Sequence, residues 1–258
     1  GHPAVPGKWM VDHMTDFLKK LKGVVGQKVL LGCESAAAES YLPYMNLSDN
    51  RFNLNGYVGK FIPLYGYIYH KYLQNFSGNS VCSLDIFDIK RSPDSYLLRA
   101  AHSFLAGDFM TLVINQDGQI AWAWGERDFS YLPDRKAVLN FIKSATAYKR
   151  GVGKKYLTFG SMIKPCKVVS DTVLMYKTNQ ERYTEYQKVL TTAWKSSDGT
   201  RAQFMANYCN TAEKVTIDLT NTNGADLIDE NGNIIGMLDA AVCQLEIKSN
   251  SVQMIKFK

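Results

Sequence analysis

From about Phe159 to the C-terminus, short strand-like runs recur at roughly ten-residue intervals. Two of them alternate cleanly: Lys214-Val215-Thr216-Ile217-Asp218-Leu219 and Gln244-Leu245-Glu246-Ile247-Lys248. A period of two turns every second side chain toward one face, so each run is a strand with one side on a core. Further runs cover 167–169, 172–176, 189–194, 202–207, 225–228, 234–237 and 251–257. The breaks carry turn chemistry at Ser197-Asp198-Gly199, Asn223-Gly224 and Glu230-Asn231-Gly232-Asn233. This pattern predicts an antiparallel β-sandwich of roughly 100 residues.

The preceding part has a different grammar. Trp9, Met10, His13, Met14, Phe17, Leu18 and Leu21 recur at spacings of three and four, which predicts an amphipathic helix stopped by Gly23 and Gly26. Lys28-Val29-Leu30-Leu31-Gly32-Cys33 then reads as a strand buried on both faces. A polar loop runs from Glu34 to Gly59. The aromatic run Phe61 to Tyr69 reads as a second buried strand, with Pro63 placed at its start. Leu97 to Leu105, introduced by Ser92-Pro93-Asp94, and Asp134 to Tyr148 read as helices. Helices alternating with buried strands predict a parallel α/β architecture. The fold class is therefore α/β plus all-β, with 1–158 as the α/β part and 159–258 as the sandwich.

Composition excludes several alternatives. Of 258 residues, 46% are hydrophobic, enough for a packed core. No apolar run reaches the roughly 18 residues of a membrane span. Lys and Arg number 30 against 24 Asp and Glu, and they are scattered, so neither nucleic acid nor a membrane surface is the expected partner. Five widely spaced cysteines read as free thiols packed like small hydrophobes, or as three of these and one disulfide, and do not fix the compartment. The sequence points to no cofactor and no metal: there is no zinc spacing, no P-loop and no dinucleotide fingerprint. The opening Gly1–Gly7 has neither the basic nor the apolar segment of a signal peptide and reads as a processing remnant.

Val29-Leu30-Leu31-Gly32-Cys33-Glu34, with Ala38-Glu39-Ser40-Tyr41-Leu42-Pro43, resembles a late strand and loop of TIM-barrel glycoside-hydrolase-like proteins of poorly characterised families. Ile62 to His70 resembles the next barrel strand. Ala101 to Asp108, Phe141 to Arg150 and Lys155 to Gly160 resemble the closing helices and exit. Thr192 to Gly199 and Phe204 to Tyr208 are similar to pieces of the β-sandwich that follows such barrels. The resemblance implies a partial (β/α)8 (TIM) barrel at 1–158 followed by a β-sandwich. A complete barrel takes about 250 residues, so it also implies that the N-terminal barrel half lies outside this chain. It further implies part of a glycosidase acting on an oligo- or polysaccharide, in a periplasmic or secreted setting. A fragment of this kind can be inactive alone.

Glycoside hydrolysis uses two carboxylates, one a general acid and one a nucleophile or base. Barrel enzymes carry them at the C-terminal ends of strands. Glu34 occupies such an end and is the first candidate acid/base; its other reading is a carboxylate that caps the loop or pairs with Arg51. Glu39 is the second candidate, or a cap of the short segment it opens. The partner carboxylate is expected on an upstream strand. Tyr65, Tyr67 and Tyr69 alternate on the expected strand, either as a sugar-stacking face or as barrel filling. His70 at its end reads as a substrate hydrogen-bonder or a structural histidine. Asn46, Asp49 and Asn53 read as sugar-binding or as turn residues. Trp122 and Trp124, with Glu126 nearby, form a candidate stacking pair or a core edge, and Asp85 and Asp88 are minor candidates. A rival to the enzyme is a non-catalytic carbohydrate-binding or scaffold protein.

Overall fold

A computed structural model describes residues 7–34, 39–49, 62–76, 87–111, 116–118, 135–178 and 180–258. Helix α1 (Lys8–Val25) follows the apolar spacing. Gly23 lies inside it; the stop is Gly26, whose positive φ of 69° suits a residue without a Cβ. Only Leu18 of α1 is buried, while Met10, Met14 and Phe17 remain exposed.

Three short strands follow: β1 (Gly32–Glu34), β2 (Leu47–Asp49) and, after helix α2 (Leu64–Tyr69), β3 (Gln74–Asn75). They pair in parallel in the order β1-β2-β3. A parallel bridge from Phe76 to Phe109 adds a fourth segment. Four parallel segments in chain order are what successive β/α units generate. Among the described residues they do not close into a barrel.

Two expectations are corrected here. The first strand is three residues long, and Val29 and Leu30, expected to be buried on both faces, are exposed. The second, expected over 61–69, is helix α2. Pro63 sits at its N-cap, where a missing N–H costs nothing. Tyr65 and Tyr69, four residues apart, stack with ring centroids at 5.1 Å. Gly66 lies against Ala106, where a Cβ would come within 2.9 Å of the Ala106 carbonyl. Helical spacing rather than alternation therefore orders these tyrosines, and Tyr67 faces away, exposed.

Helices α3 (Ser95–Leu105), α4 (Arg135–Arg150) and α5 (Lys154–Leu157) come next. Strands β4 (Ser161–Ile163), β5 (Val168–Val169), β6 (Thr172–Tyr176), β7 (Tyr183–Gln187), β8 (Val189–Lys195), β9 (Arg201–Asn207), β10 (Glu213–Asp218), β11 (Ala225–Ile228), β12 (Ile234–Leu238), β13 (Val242–Ile247) and β14 (Ser251–Phe257) complete the chain. The turn-bounded runs of the sequence match these strands closely; β4 and β7 have no counterpart among those runs. A six-stranded antiparallel sheet has the order β12-β11-β14-β9-β8-β4, a second sheet the order β13-β10-β5, and β6 and β7 form a hairpin.

The six-stranded sheet is covered on both faces. One face meets the smaller sheet through Val189, Met205 and Ile255 against Val215, Ile217 and Ile247. The other carries Trp194, Phe204 and Met254, which share a core with Leu97, Phe104, Phe141, Tyr148 and Tyr156 of the three helices. One continuous core thus includes residues from both sides of position 158. Double coverage also explains β9, where Ala202 to Asn207 are all buried instead of alternating. Polar groups in this layer are matched: Asn207 Nδ2 donates to the carbonyls of Thr211, Ile247 and Lys248.

Candidate functional site

Parallel pairing brings the C-terminal ends of β1, β2, β3 and the Phe109 segment to one edge. Two rows of register partners cross it. Glu34 lies beside Asp49, and Cys33 beside Ser48, which lies beside Asn75. Asp108, next to the bridging Phe109, accepts a 3.0 Å hydrogen bond from Asn75 Nδ2. Ser48, Asp49, Asn75 and Asp108 are all buried. Buried carboxylates at strand ends are uncommon outside functional or paired positions.

Asp49 and Asp108 are the residues that sequence reading undervalued. The sequence reads as a polar loop at Asp49, but Asp49 ends β2. A three-residue strand offers no periodicity to detect, and only the register reveals that its last residue flanks Glu34.

Glu39 opens a 3-10 segment, Glu39–Tyr44, between β1 and β2. It is exposed, and its carboxylate accepts a hydrogen bond from the Tyr69 hydroxyl. That bond, with the nearby negative charge, raises the Tyr69 pKa. The geometry therefore joins Glu39 to Tyr69 and, through ring stacking, to Tyr65. Tyr67 stands apart from this group.

Asn46 sits just before β2, at the opposite end from Asp49. Its Oδ1 accepts from Leu31 N at 3.0 Å and Lys22 Nζ at 3.4 Å, while its own N–H reaches Leu31 O at 2.7 Å. These bonds hold α1 and β1 to β2. Asp88 Oδ1 accepts from the backbone of Lys90 and Arg91, closing a turn. Trp122, Trp124, Glu126, Asp85, Asn53 and Arg51 lie outside the described residues.

His70 follows α2 and is buried. Nε2 donates to Leu157 O at 2.8 Å, and the ring meets Trp194 edge-on at 4.7 Å. Lys149 Nζ donates to the same Leu157 carbonyl at 3.0 Å and to Gly107 O. Burial, with the Lys149 charge adding to it, lowers the His70 pKa to about 4. Burial likewise brings Lys149 down to about 8, opposed by Asp108. His70 is therefore neutral near pH 7, with its proton on Nε2, since a carbonyl can only accept. The cluster ties the parallel strands to α4, α5 and the six-stranded sheet. Among the described residues no group of His, Cys, Asp and Glu is placed to hold a metal ion, and no helix is long and apolar enough to cross a membrane.

No family model matches the chain and no curated protein matches it in sequence. Solved structures do resemble it, α-amylases among them. An α-amylase from Geobacillus thermoleovorans, complexed with acarbose, aligns with a TM-score of 0.50 at 13% identity, over 96% of this chain and 57% of its own. A noncanonic maltogenic α-amylase from Thermotoga neapolitana aligns with a TM-score of 0.51 at 11% identity, over 100% of this chain and 60% of its own. At such identities the likeness is one of fold. The chain spans less than two thirds of the length of either structure.

Proposed function

We propose that this chain is the C-terminal portion of a barrel glycoside hydrolase, with residues 1–158 contributing late (β/α) units and residues 159–258 the sandwich. The observation that carries this reading is the pair Glu34 and Asp49, register partners ending adjacent parallel strands. Neighbouring strands run roughly 4.8 Å apart, so two carboxylates can serve one glycosidic bond. Glu34 acts as the general acid, giving its proton to the leaving oxygen as the bond to the anomeric carbon breaks. Asp49 stabilises the positive charge that develops on the sugar, and water then adds to the anomeric carbon and gives its proton to the Glu34 carboxylate, which restores the acid. On this reading the second carboxylate is Asp49, whereas the sequence leads one to expect it on an upstream strand. The substrate is an oligo- or polysaccharide, and the setting is periplasmic or secreted.

The exposed Met10, Met14 and Phe17 of α1, with Val29 and Leu30 nearby in sequence, are apolar positions that a preceding barrel half would cover. The test is hydrolysis of a panel of aryl glycosides by the full-length protein. The expected result is turnover on at least one sugar that falls by about 10²–10⁴-fold in Glu34→Gln. Sugar binding without turnover on any member would instead favour a non-catalytic carbohydrate-binding protein.

A further inference from the structure

We propose that a cavity beside the edge of the parallel sheet binds a small organic anion, a phosphate or carboxylate carried on an apolar or ring-shaped body. The cavity has a volume of about 540 Å³, within the range of small-molecule sites. Phe109 and Met110 of the edge segment give it an apolar wall, and Phe109 is 40% exposed. Lys149 and Arg150 from the last turn of α4, and Lys154 from the start of α5, bring three cations to it. Among its described lining residues there is no carboxylate.

The three cations differ in how they are held. Lys149 is buried and spends its donors on the Gly107 and Leu157 carbonyls. Arg150 and Lys154 are exposed. Lys154 lies over the Phe159 ring at 5.8 Å, and neither side chain has a hydrogen-bond or ion-pair partner in the described structure. Like charges gathered on one cavity repel, and an anion placed among them offsets that repulsion. A guanidinium fork matches a phosphate or carboxylate with two parallel bonds. The Thr146 hydroxyl on the same wall adds a donor. Phe109 and Met110 would pack against the body that carries the anion.

The test is isothermal titration of the 258-residue protein with phenyl phosphate, inorganic phosphate and glucose. Phenyl phosphate is expected to bind at one site, and glucose is expected not to displace it. Its affinity is expected to fall by about tenfold or more in Arg150→Gln and in Lys154→Gln. Both side chains are exposed, so these variants fold. Lys214→Gln, which removes an exposed charge from β10, is expected to bind like the parent. No binding of phenyl phosphate at millimolar concentration overturns the proposal, as does unchanged affinity in both cavity variants. Inorganic phosphate binding as tightly as phenyl phosphate overturns the role given to the apolar wall.

Discussion

Phe204 is one of the residues through which the helices and the six-stranded sheet are joined. It is fully buried on β9 and meets Phe104, Tyr148 and Tyr156 edge-on, with ring centroids 5.9, 6.3 and 6.3 Å away. These partners come from α3, α4 and α5 in turn. Truncating a buried Phe to Ala costs about 3–5 kcal/mol, the larger values arising where the surroundings cannot collapse into the space. Here the hole would be walled by three helices and the backbone at Gly153, where a Cβ would already come within 3.2 Å of the Phe204 ring. Loss of three edge contacts adds about 0.5–1.5 kcal/mol each at most, partly counted already in the truncation. Phe204→Ala should therefore lose about 4 kcal/mol. For a chain of this size that corresponds to a Tm drop of roughly 8–16 °C. The assay is thermal unfolding followed by far-UV circular dichroism, for the helices and sheets, and by near-UV signals, for aromatic packing. A single shared transition that moves down in both signals is expected. A shift below about 3 °C, or a helical transition that separates from an unmoved sheet transition, would refute the claim that one core joins them.

Stability should also fall as pH drops from about 6.5 toward 4. His70 has a folded pKa of about 4 and His102 of about 3, both below the ordinary 6.5 because burial disfavours the charged ring. The unfolded chain therefore takes up these protons first, and the stability gained by keeping the rings neutral is present above pH 6.5 and lost below it. Urea midpoints measured across this range check it, and His70→Gln should flatten the slope. Gly107→Ala should destabilise by about 2 kcal/mol or more. Its φ is +79°, and a Cβ would lie 2.4 Å from His70 Nε2 and 2.9 Å from Leu157 O; a denaturation midpoint equal to that of the parent would count against this packing.

Legibility in the sequence followed from how each element is buried. Strands β10 and β13 alternate because one face looks to solvent, and that period is visible in Lys214–Leu219 and Gln244–Lys248. The two helices α3 and α4 were visible from their apolar spacing. The aromatic run at 61–69 misled, because alternate tyrosines suggest a strand, whereas Pro63 and the four-residue spacing of Tyr65 and Tyr69 support a helix. Strands β2 and β3 have three and two residues, too few for any period. The candidate site depended on them. Glu34 was visible because an apolar run precedes it, but its neighbour Asp49 follows only from the register of two short strands.

In the proposed function, Glu34 protonates a leaving group at the end of β1. Its most direct test compares kcat/KM of the full-length protein and of Glu34→Gln on a phenyl glycoside and on a dinitrophenyl glycoside of the same sugar. A dinitrophenolate leaves with little need of a proton, whereas phenolate needs one. A large loss is expected on the phenyl substrate and a much smaller loss on the dinitrophenyl substrate. Equal losses on the two, or no loss on either, would contradict it.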